Sequence, residues 1–260
     1  MSNGLQSLSI ATLTLLGLSL FSAGSLAQTV QLKDCLPLTP KDHTSVIRAI
    51  QGKIDNVTAL ARKERLDVLA RSPQTSQALL NTISKSGILD GNTNRKLDLA
   101  ASCLSLALVS SIQPNSRAAI QRVAQEFERA SNVQTLIDRI ATLQKEFPNL
   151  NDVQEALKVA TSVLRDGQTT IYNEKEQVFQ AMSASSAEQP LTKAKGAGEH
   201  AVDLAAADGK GVVNGAVGGC VAGLLAAGVG CGPGAIAGGV AAGIGNSAQE
   251  LVETAWRHAK

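Results

Sequence analysis

From residue 38 to residue 184, apolar residues recur at spacings of three and four, which is the pattern of amphipathic helices. The first helix is predicted to begin just after Thr39, because Thr39 supplies an N-cap and Pro40 and Asp42 suit a first helical turn. The apolar face of this helix predicts that it runs as far as Arg71. That face consists of Ile47, Ile50, Ile54, Val57 and Ala61.

Breaks in the pattern divide the rest of this region into further helices. Ser72 and Pro73 predict the start of a second helix, and Gly87 predicts its end. The apolar run from 97 to 112 predicts a core helix. Later boundaries are indicated by Pro114, Asn132, Phe147 and Pro148.

A last long helix is predicted from Asn151 onward. Its apolar positions fit a heptad seam that is interrupted at Gly167 and Glu174. We interpret the seam as the core of a bundle within one chain, with an intermolecular coiled coil as the alternative. The seam consists of Val153, Leu157, Ala160, Leu164, Ile171, Val178 and Met182.

A different pattern follows in residues 211–249, which form a run of 39 residues without Asp, Glu, Lys or Arg. Four glycines recur here at every fourth position, so on a helix they share one face without side chains. An interior glycine costs a helix in water roughly 0.5–1 kcal/mol relative to alanine, whereas in lipid close helix packing favours such a face. The run therefore predicts a membrane-seeking glycine zipper built on Gly211, Gly215, Gly219 and Gly223.

A cluster of helix-breaking residues at 230–234 divides this run into two arms. The second arm repeats the spacing of four at Ala235, Gly239, Gly243 and Ser247. Each arm is shorter than the ~20 residues that span a bilayer, so a tight hairpin, a span of a thin membrane and a zipper completed by oligomerisation are three alternatives. The predicted fold class is therefore all-α: a bundle of long helices, partly coiled-coil in character, followed by a Gly/Ala-rich hydrophobic helical hairpin.

The flanks of the uncharged run carry the residues that commonly lie at a membrane surface. Lysines precede the run, and a tryptophan with two cations follows it. Tryptophan and cations next to an apolar segment are typical of an interfacial anchor. The predicted anchor residues are Trp256, Arg257 and Lys260, and the preceding lysines are Lys193, Lys195 and Lys210.

The segment from about 209 to 244 resembles the Gly/Ala-rich membrane-active segments of class II bacteriocins and of other glycine-zipper envelope proteins. The resemblance lies in the composition and in the spacing of four residues between glycines. It implies contact with a lipid bilayer and self-association of the zipper. It brings no catalytic signature.

Residues 1–27 carry no charged side chain and contain a leucine-rich apolar core, which predicts a secretory signal peptide. Ser25 and Ala27 are the small residues that a signal peptidase prefers, so Gln28 is the expected first residue after cleavage. We predict an exported protein that is secreted or periplasmic and associated with a membrane. The predicted division is a signal peptide at 1–27, a helical bundle at 28–184, a linker at 185–210, the hairpin at 211–249 and an amphipathic tail at 250–260.

Four cysteines in an exported chain predict disulfides, and four cysteines allow three pairings. We prefer Cys35–Cys103 with Cys220–Cys231, because each bridge then stays within one region. The second pair requires the first arm to bend or end near 223–230. In one continuous helix, eleven residues would separate the two cysteines by roughly 16 Å, whereas a disulfide needs ~5.5 Å between Cα atoms.

Several kinds of chemistry are not expected. A net charge of +2 and an aromatic content of 2% give no support for a nucleic-acid partner. The three histidines stand in no metal-binding motif, and His43 is predicted on the solvated side of the first helix. Residues 230–235 match a dinucleotide-binding fingerprint only formally, because no strand precedes them. We therefore expect no cofactor, no metal and no enzymatic activity.

The leading hypothesis is a membrane-active protein of pore-forming or bacteriocin-like type, in which the bundle keeps the hairpin soluble or docks it to a target. The zipper then inserts into a bilayer and oligomerises through Gly211, Gly215, Gly219 and Gly223. The first alternative is a membrane-anchored structural or interaction protein of the cell envelope, whose bundle recruits a protein partner. The second alternative is a secreted helical protein in which the hairpin is simply buried against the bundle.

Overall fold

The computed structural model describes residues 32–70, 72–107, 112–172, 197–225 and 230–258. Regular structure in these ranges is entirely helical, so the predicted all-α bundle is confirmed. The helices are α1 Leu32–Cys35, α2 Pro40–Gln51, α3 Ile54–Lys63, α4 Pro73–Lys85, α5 Gly91–Ala107, α6 Pro114–Glu128, α7 Val133–Glu146, α8 Asn151–Gln168, α9 Ala197–Leu225 and α10 Cys231–His258. The predicted signal peptide lies outside the described residues.

Three predicted helix starts are confirmed by their caps. The backbone N–H of Asp42 donates to Thr39 Oγ1 and the Asp42 carboxylate accepts from the Thr39 N–H at 2.9 Å, which forms a reciprocal capping box. The Ser72 hydroxyl caps α4, and the Asn132 side chain caps α7. Side chains within three residues of each helix start therefore account for these boundaries.

The prediction of one helix as far as Arg71 is wrong. The helix ends at Gln51, and α3 runs separately from Ile54 to Lys63. The break falls at Gly52 and Lys53. Glycine has a low helix propensity, the Gly52 N–H makes the last bond to a carbonyl four residues back, at Arg48, and Lys53 leaves the helical conformation with φ −130°. The apolar face nevertheless continues across the break, since the residues on both sides of it are buried.

The predicted seam of the last bundle helix is interrupted after α8. The hydroxyls of Thr169 and Thr170 donate to the carbonyl of Asp166 at 3.1 and 3.2 Å, and thereby satisfy a carbonyl group in the last turn. Ile171 still packs in the core. Val178 and Met182 lie outside the described residues.

Helices α9 and α10 are two antiparallel arms at the centre of the bundle, and together they form the hairpin. The first arm packs against α5, α6 and α8, and the second arm packs against α2, α4, α5 and α8. The described part of the predicted linker, 197–210, is helical and continuous with the first arm. The predicted tail continues the second arm as helix to His258.

The bundle helices cover the hairpin with their apolar faces and turn their charged faces outward. Both arms are buried over most of their length, whereas Leu224 near the end of the first arm is 66% exposed. No helix in the described ranges combines the length and the apolarity that crossing a bilayer requires. The largest fully buried side chains of the bundle are Phe127, Leu38, Ile47, Ile50, Leu79, Leu80, Ile83, Leu97, Leu136, Ile140 and Leu143.

One carboxylate on the bundle is nearly buried among cations. Glu126 accepts a hydrogen bond from Arg122, lies 3.2 Å from Arg129 and lies 3.5 Å from Arg139. Desolvation acts to raise the pKa of Glu126, but the hydrogen bond from Arg122 and the positive charge of the three arginines outweigh it, so the pKa is lowered. This cluster joins α6 to α7.

Candidate functional site

The glycine stripe of the first arm lies directly against the backbone of the second arm. A Cβ atom added to Gly219 would lie 2.1 Å from the carbonyl oxygen of Gly234. A Cβ on Gly215 would lie 2.2 Å from the oxygen of Gly238. Real Cβ atoms essentially never approach another atom within 3.0 Å, so the two backbones touch where no side chain fits. The stripe is therefore the seam between the two arms.

The seam continues in both directions at the same spacing of four. Towards the turn, a Cβ on Gly223 would lie 2.2 Å from the oxygen of Gly230. Towards the open end, a Cβ on Gly211 would lie 2.7 Å from the oxygen of Ala242. All four glycines predicted for helix packing thus serve one intramolecular contact in this structure.

The predicted glycines of the second arm lie where the first arm and the bundle meet. A Cβ on Gly239 would lie 3.0 Å from the Cβ of Ala216 in the first arm and 3.1 Å from a methyl carbon of Val159 in α8. A Cβ on Gly243 would lie 2.7 Å from a methyl carbon of Val212 in the first arm and 3.1 Å from the ring of His43 in α2. The backbone-to-backbone contacts of the seam are made instead by Gly230, Gly234 and Gly238, one position earlier in the spacing.

Both preferred disulfides are confirmed. Cys220 and Cys231 are joined across the hairpin turn with their Cα atoms 4.0 Å apart. The apparent conflict with a continuous helix disappears, because α9 ends at Leu225 and the two cysteines lie on opposite arms. Cys35 in α1 pairs with Cys103 in α5. One bridge lies inside the hairpin and the other inside the bundle, so neither ties the hairpin to the bundle.

A buried polar cluster joins the hairpin to the bundle instead. The Tyr172 hydroxyl donates to Asp208 Oδ2 at 2.6 Å, and Asp208 Oδ1 lies 3.6 Å from His43 Nε2. His43 Nε2 lies 3.3 Å from Ser247 Oγ. The four residues come from α2, from the segment after α8 and from both arms, and none is more than 4% exposed.

The hydrogen bonds of this cluster define its chemistry. The Ser247 hydroxyl donates to the carbonyl of Gly243 at 2.8 Å, so it accepts from His43 Nε2. A Ser–His–Asp catalytic triad needs the carboxylate on the other ring nitrogen, but here Ser247 and Asp208 both approach Nε2. Nδ1 is buried and has no hydrogen-bond partner among the residues that the structure describes. The geometry is that of a structural joint and not of a nucleophile.

The surroundings of Tyr172 keep its hydroxyl group protonated. Complete burial raises the pKa of Tyr172 well above its ordinary value, and the negative charge of Asp208 raises it further. Tyr172 therefore stays protonated and remains a hydrogen-bond donor to Asp208. A carboxylate in a core of glycine and alanine needs such a donor, because its desolvation is otherwise uncompensated.

The prediction that His43 lies on the solvated side of its helix is wrong, since its side chain is fully buried. His43 precedes Ile47 by four residues and Ile50 by seven, so it lies on the same face as the isoleucines. That spacing from the isoleucines could have predicted a buried position for His43. Asp208 and Tyr172 were also missed, because their pairing joins residues 36 positions apart and has no local pattern.

A second polar contact holds the loop between α3 and α4 to the hairpin. Gln249 Nε2 donates to the carbonyl of Val68 at 2.9 Å and to the carbonyl of Ala70 at 3.2 Å. The Ser76 hydroxyl donates to Gln249 Oε1 at 2.8 Å. Sequence reasoning treated Gln249 only as the last uncharged residue of the run.

The predicted interface anchor lies at the end of the second arm. Trp256 packs against the core, and the guanidinium of Arg62 stacks on its ring, 5.0 Å from the centroid. Arg257 pairs with Glu253 one turn earlier. Lys260 lies outside the described residues. In this structure, Trp256 and Arg257 thus contact residues of the protein.

The described residues contain no group of three or more His, Cys, Asp or Glu side chains that could hold a metal ion. Comparison with known proteins found no matching family model, no matching curated protein and no matching solved structure. The candidate site is therefore defined by its own geometry: a glycine hairpin whose residues 211–249 are uncharged, closed at its turn by a disulfide and joined to an amphipathic bundle by buried polar contacts.

Proposed function

We propose that this chain is an exported membrane-active protein whose bundle covers the glycine hairpin until the hairpin transfers into a lipid bilayer. The observation that carries the proposal is the position of the longest uncharged segment. It forms the central element of the bundle, and the amphipathic helices that surround it have charged outer faces. In water such a segment must stay covered, because exposure costs about 25 cal/mol for each Å² of apolar surface.

The construction of the hairpin suits transfer as a unit. Its arms already satisfy their backbone hydrogen bonds as helices and already pack along the glycine seam, which are the two requirements of a helix pair in lipid. The described uncharged part of the first arm, 211–225, is about 22 Å long, less than the ~30 Å hydrocarbon core. The hairpin therefore enters as a wedge and does not need to cross the bilayer.

The contacts between hairpin and bundle are compatible with release. Neither disulfide crosses this boundary. The boundary is held by packing and by noncovalent polar contacts, among them those of Asp208 with Tyr172, Gln249 with Val68 and Lys210 with Glu128. Once the hairpin leaves, Gly239 and Gly243 lose their neighbours Val159 and His43 in the bundle, and the side of the second arm that faced them can pack against a second hairpin.

A reversible covalent lock tests this proposal. Val159 Cγ1 lies 3.1 Å from an ideal Cβ on Gly239, which matches the ~3 Å between a sulfur and the opposite Cβ in a disulfide. The pair Val159→Cys and Gly239→Cys should therefore bridge α8 to the second arm. Wild type is expected to co-sediment with dye-loaded anionic liposomes and to release the dye, whereas the oxidised double variant is expected to release none.

The controls separate the lock from its side effects. The single variants Val159→Cys and Gly239→Cys carry the substitutions without the bridge. Release by the oxidised double variant is therefore compared with release by Gly239→Cys alone, whose added Cβ lies 3.0 Å from Ala216. Reduction should restore release by the double variant, with wild type treated in the same way as the reference. Equal release by the locked and wild-type proteins would contradict the proposal, because the hairpin would then act without leaving the bundle.

Two alternatives give different results in the same assay. Sedimentation of wild type with liposomes but without dye release would favour an envelope anchor whose bundle binds a protein partner. Wild type that stays in the supernatant would favour a permanent core. The hydrogen bonds of Gln249, which satisfy both its amide oxygen and its amide nitrogen, favour this last alternative, because a permanent core also requires its polar groups to be satisfied.

A further inference from the structure

We infer that a cationic cleft between α2 and α8 binds the phosphate of an anionic lipid headgroup. The cleft has a volume of about 770 Å³ and lies between the first turn of α2 and the outer face of α8. Binding at this cleft does not require the hairpin to move. Only the link between the bound lipid and hairpin transfer rests on the function proposed above.

Cations line the cleft from both helices. Lys41 projects from α2, and Lys158 and Arg165 project from α8. Positions 158 and 165 are seven residues apart, so they lie two turns apart on one face of α8. Thr161, Ser162 and Thr169 also line the cleft, but the hydroxyls of Thr161 and Thr169 already donate to the carbonyls of Leu157 and Asp166. The cleft therefore offers phosphate oxygens its cations and the Ser162 hydroxyl.

The positive charge of the cleft is only partly neutralised by the protein. Lys158 pairs with Glu155 at 2.7 Å. Asp166 is the one carboxylate among the residues lining the cleft, and it already accepts the hydroxyl hydrogen of Thr44. Among the residues that the structure describes, Lys41 and Arg165 have no carboxylate within ion-pair distance. A guanidinium and an ammonium are thus available to one ligand.

The position of the cleft favours a lipid over a free anion. A neighbouring face of α8 packs on the hairpin, where Val159 meets Gly239. Val159 directly follows the cleft residue Lys158 and is about 100° from it around the helix, so a headgroup in the cleft would lie beside the helix that covers the second arm. Arginine suits this role, because its planar guanidinium can bind two phosphate oxygens at once.

Two charge-matched variants test the inference. The cleft variant is K41Q/R165Q. The control variant is K53Q/R117Q, which removes the same charge from two exposed residues outside the cleft. Binding is measured by co-sedimentation with vesicles of phosphatidylglycerol and phosphatidylcholine, and circular dichroism checks that all three proteins are folded. The cleft variant is expected to bind at least tenfold more weakly than wild type and the control variant.

Equal binding by the cleft and control variants would overturn the inference, as would binding of wild type to pure phosphatidylcholine vesicles with the same affinity. Inorganic phosphate is the second probe, followed by NMR titration of the backbone amides. It should bind at the cleft more weakly than the anionic vesicles. Phosphate that binds with the affinity of the vesicles would overturn the assignment to a lipid and indicate a free anion.

The outcomes separate this inference from the function proposed above. If the cleft variant loses vesicle binding while wild type releases no dye, lipid binding at the cleft is supported and the membrane-active function is contradicted. If both variants bind vesicles and release dye as wild type does, lipid binding at the cleft is contradicted and the membrane-active function is supported.

Discussion

The closest contact in the hairpin gives the sharpest test of the structure. Gly219 faces the backbone of Gly234, and a Cβ at position 219 would lie 2.1 Å from that carbonyl oxygen. Ordinary van der Waals contact begins near 3.4 Å. The substitution Gly219→Ala therefore requires the two arms to separate locally by about 1.3 Å in a closely packed core, which resists such movement.

The expected cost follows from two opposing effects. Overpacking a core by a methyl group typically costs ~1–3 kcal/mol. Replacing glycine by alanine within a helix stabilises the helix by roughly 0.5–1 kcal/mol. We expect a net loss of about 1–2 kcal/mol in the free energy of unfolding, which corresponds to a fall in Tm of about 2–8 °C for a chain of this size.

The matched control is Gly232→Ala in the same hairpin. The nearest atom to a Cβ at position 232, beyond its own chain neighbours and helix, is a carboxylate oxygen of Glu155 at 4.0 Å, so the added methyl group has room. We expect Gly232→Ala to be as stable as wild type or slightly more stable. Thermal and urea unfolding followed by circular dichroism measure both variants. If Gly219→Ala matched the stability of Gly232→Ala, the arms would not touch as described.

Three further predictions concern the contacts around the hairpin. Tyr172→Phe leaves Asp208 Oδ2 without its donor and should cost about 1–3 kcal/mol in urea unfolding, and unchanged stability would argue against the buried joint. Cys35→Ser with Cys103→Ser opens a bridge of sequence separation 68 and should cost about 4 kcal/mol, measured against wild type under non-reducing conditions. The folded-state pKa of Glu126 is lowered, so its contribution to stability is present above the ordinary glutamate pKa and is lost as pH falls through the folded value. Wild type should therefore have a larger free energy of unfolding than Glu126→Gln at pH 7, and the difference should shrink as the pH is lowered. A difference that stays constant with pH would contradict this prediction.

Local signals made much of the helical framework predictable. The cap side chains of Thr39, Ser72 and Asn132 each bond to a backbone N–H three residues further along the chain. Such short-range contacts can be recognised in the sequence. The disulfide pairing was also predictable, because chain connectivity restricts the choices. The break at Gly52 was missed, since an apolar face that continues across a short interruption looks like one helix.

The faces of the hairpin could not be predicted in the same way. On the second arm, a spacing of four fits two neighbouring stripes equally well, namely Gly234 with Gly238 and Gly239 with Gly243. Only the geometry of the turn decides which stripe touches the backbone of the first arm, and it is the stripe of Gly234 and Gly238. The partner of the hairpin was also ambiguous, because a face without side chains accepts another arm, a bundle helix or a second molecule. The joint at His43 depends on contacts between residues 204 positions apart, which no local pattern reports.

The bridge between Cys220 and Cys231 has a topological consequence. It closes the two arms at one end, so they cannot slide past each other or part at the turn while the bond is intact. The polypeptide therefore enters and leaves the hairpin at the same end. Any surface that the turn penetrates, whether a bilayer or a protein cavity, is entered by a loop. The amino-terminal bundle and the carboxyl terminus then remain together on the side from which the loop came.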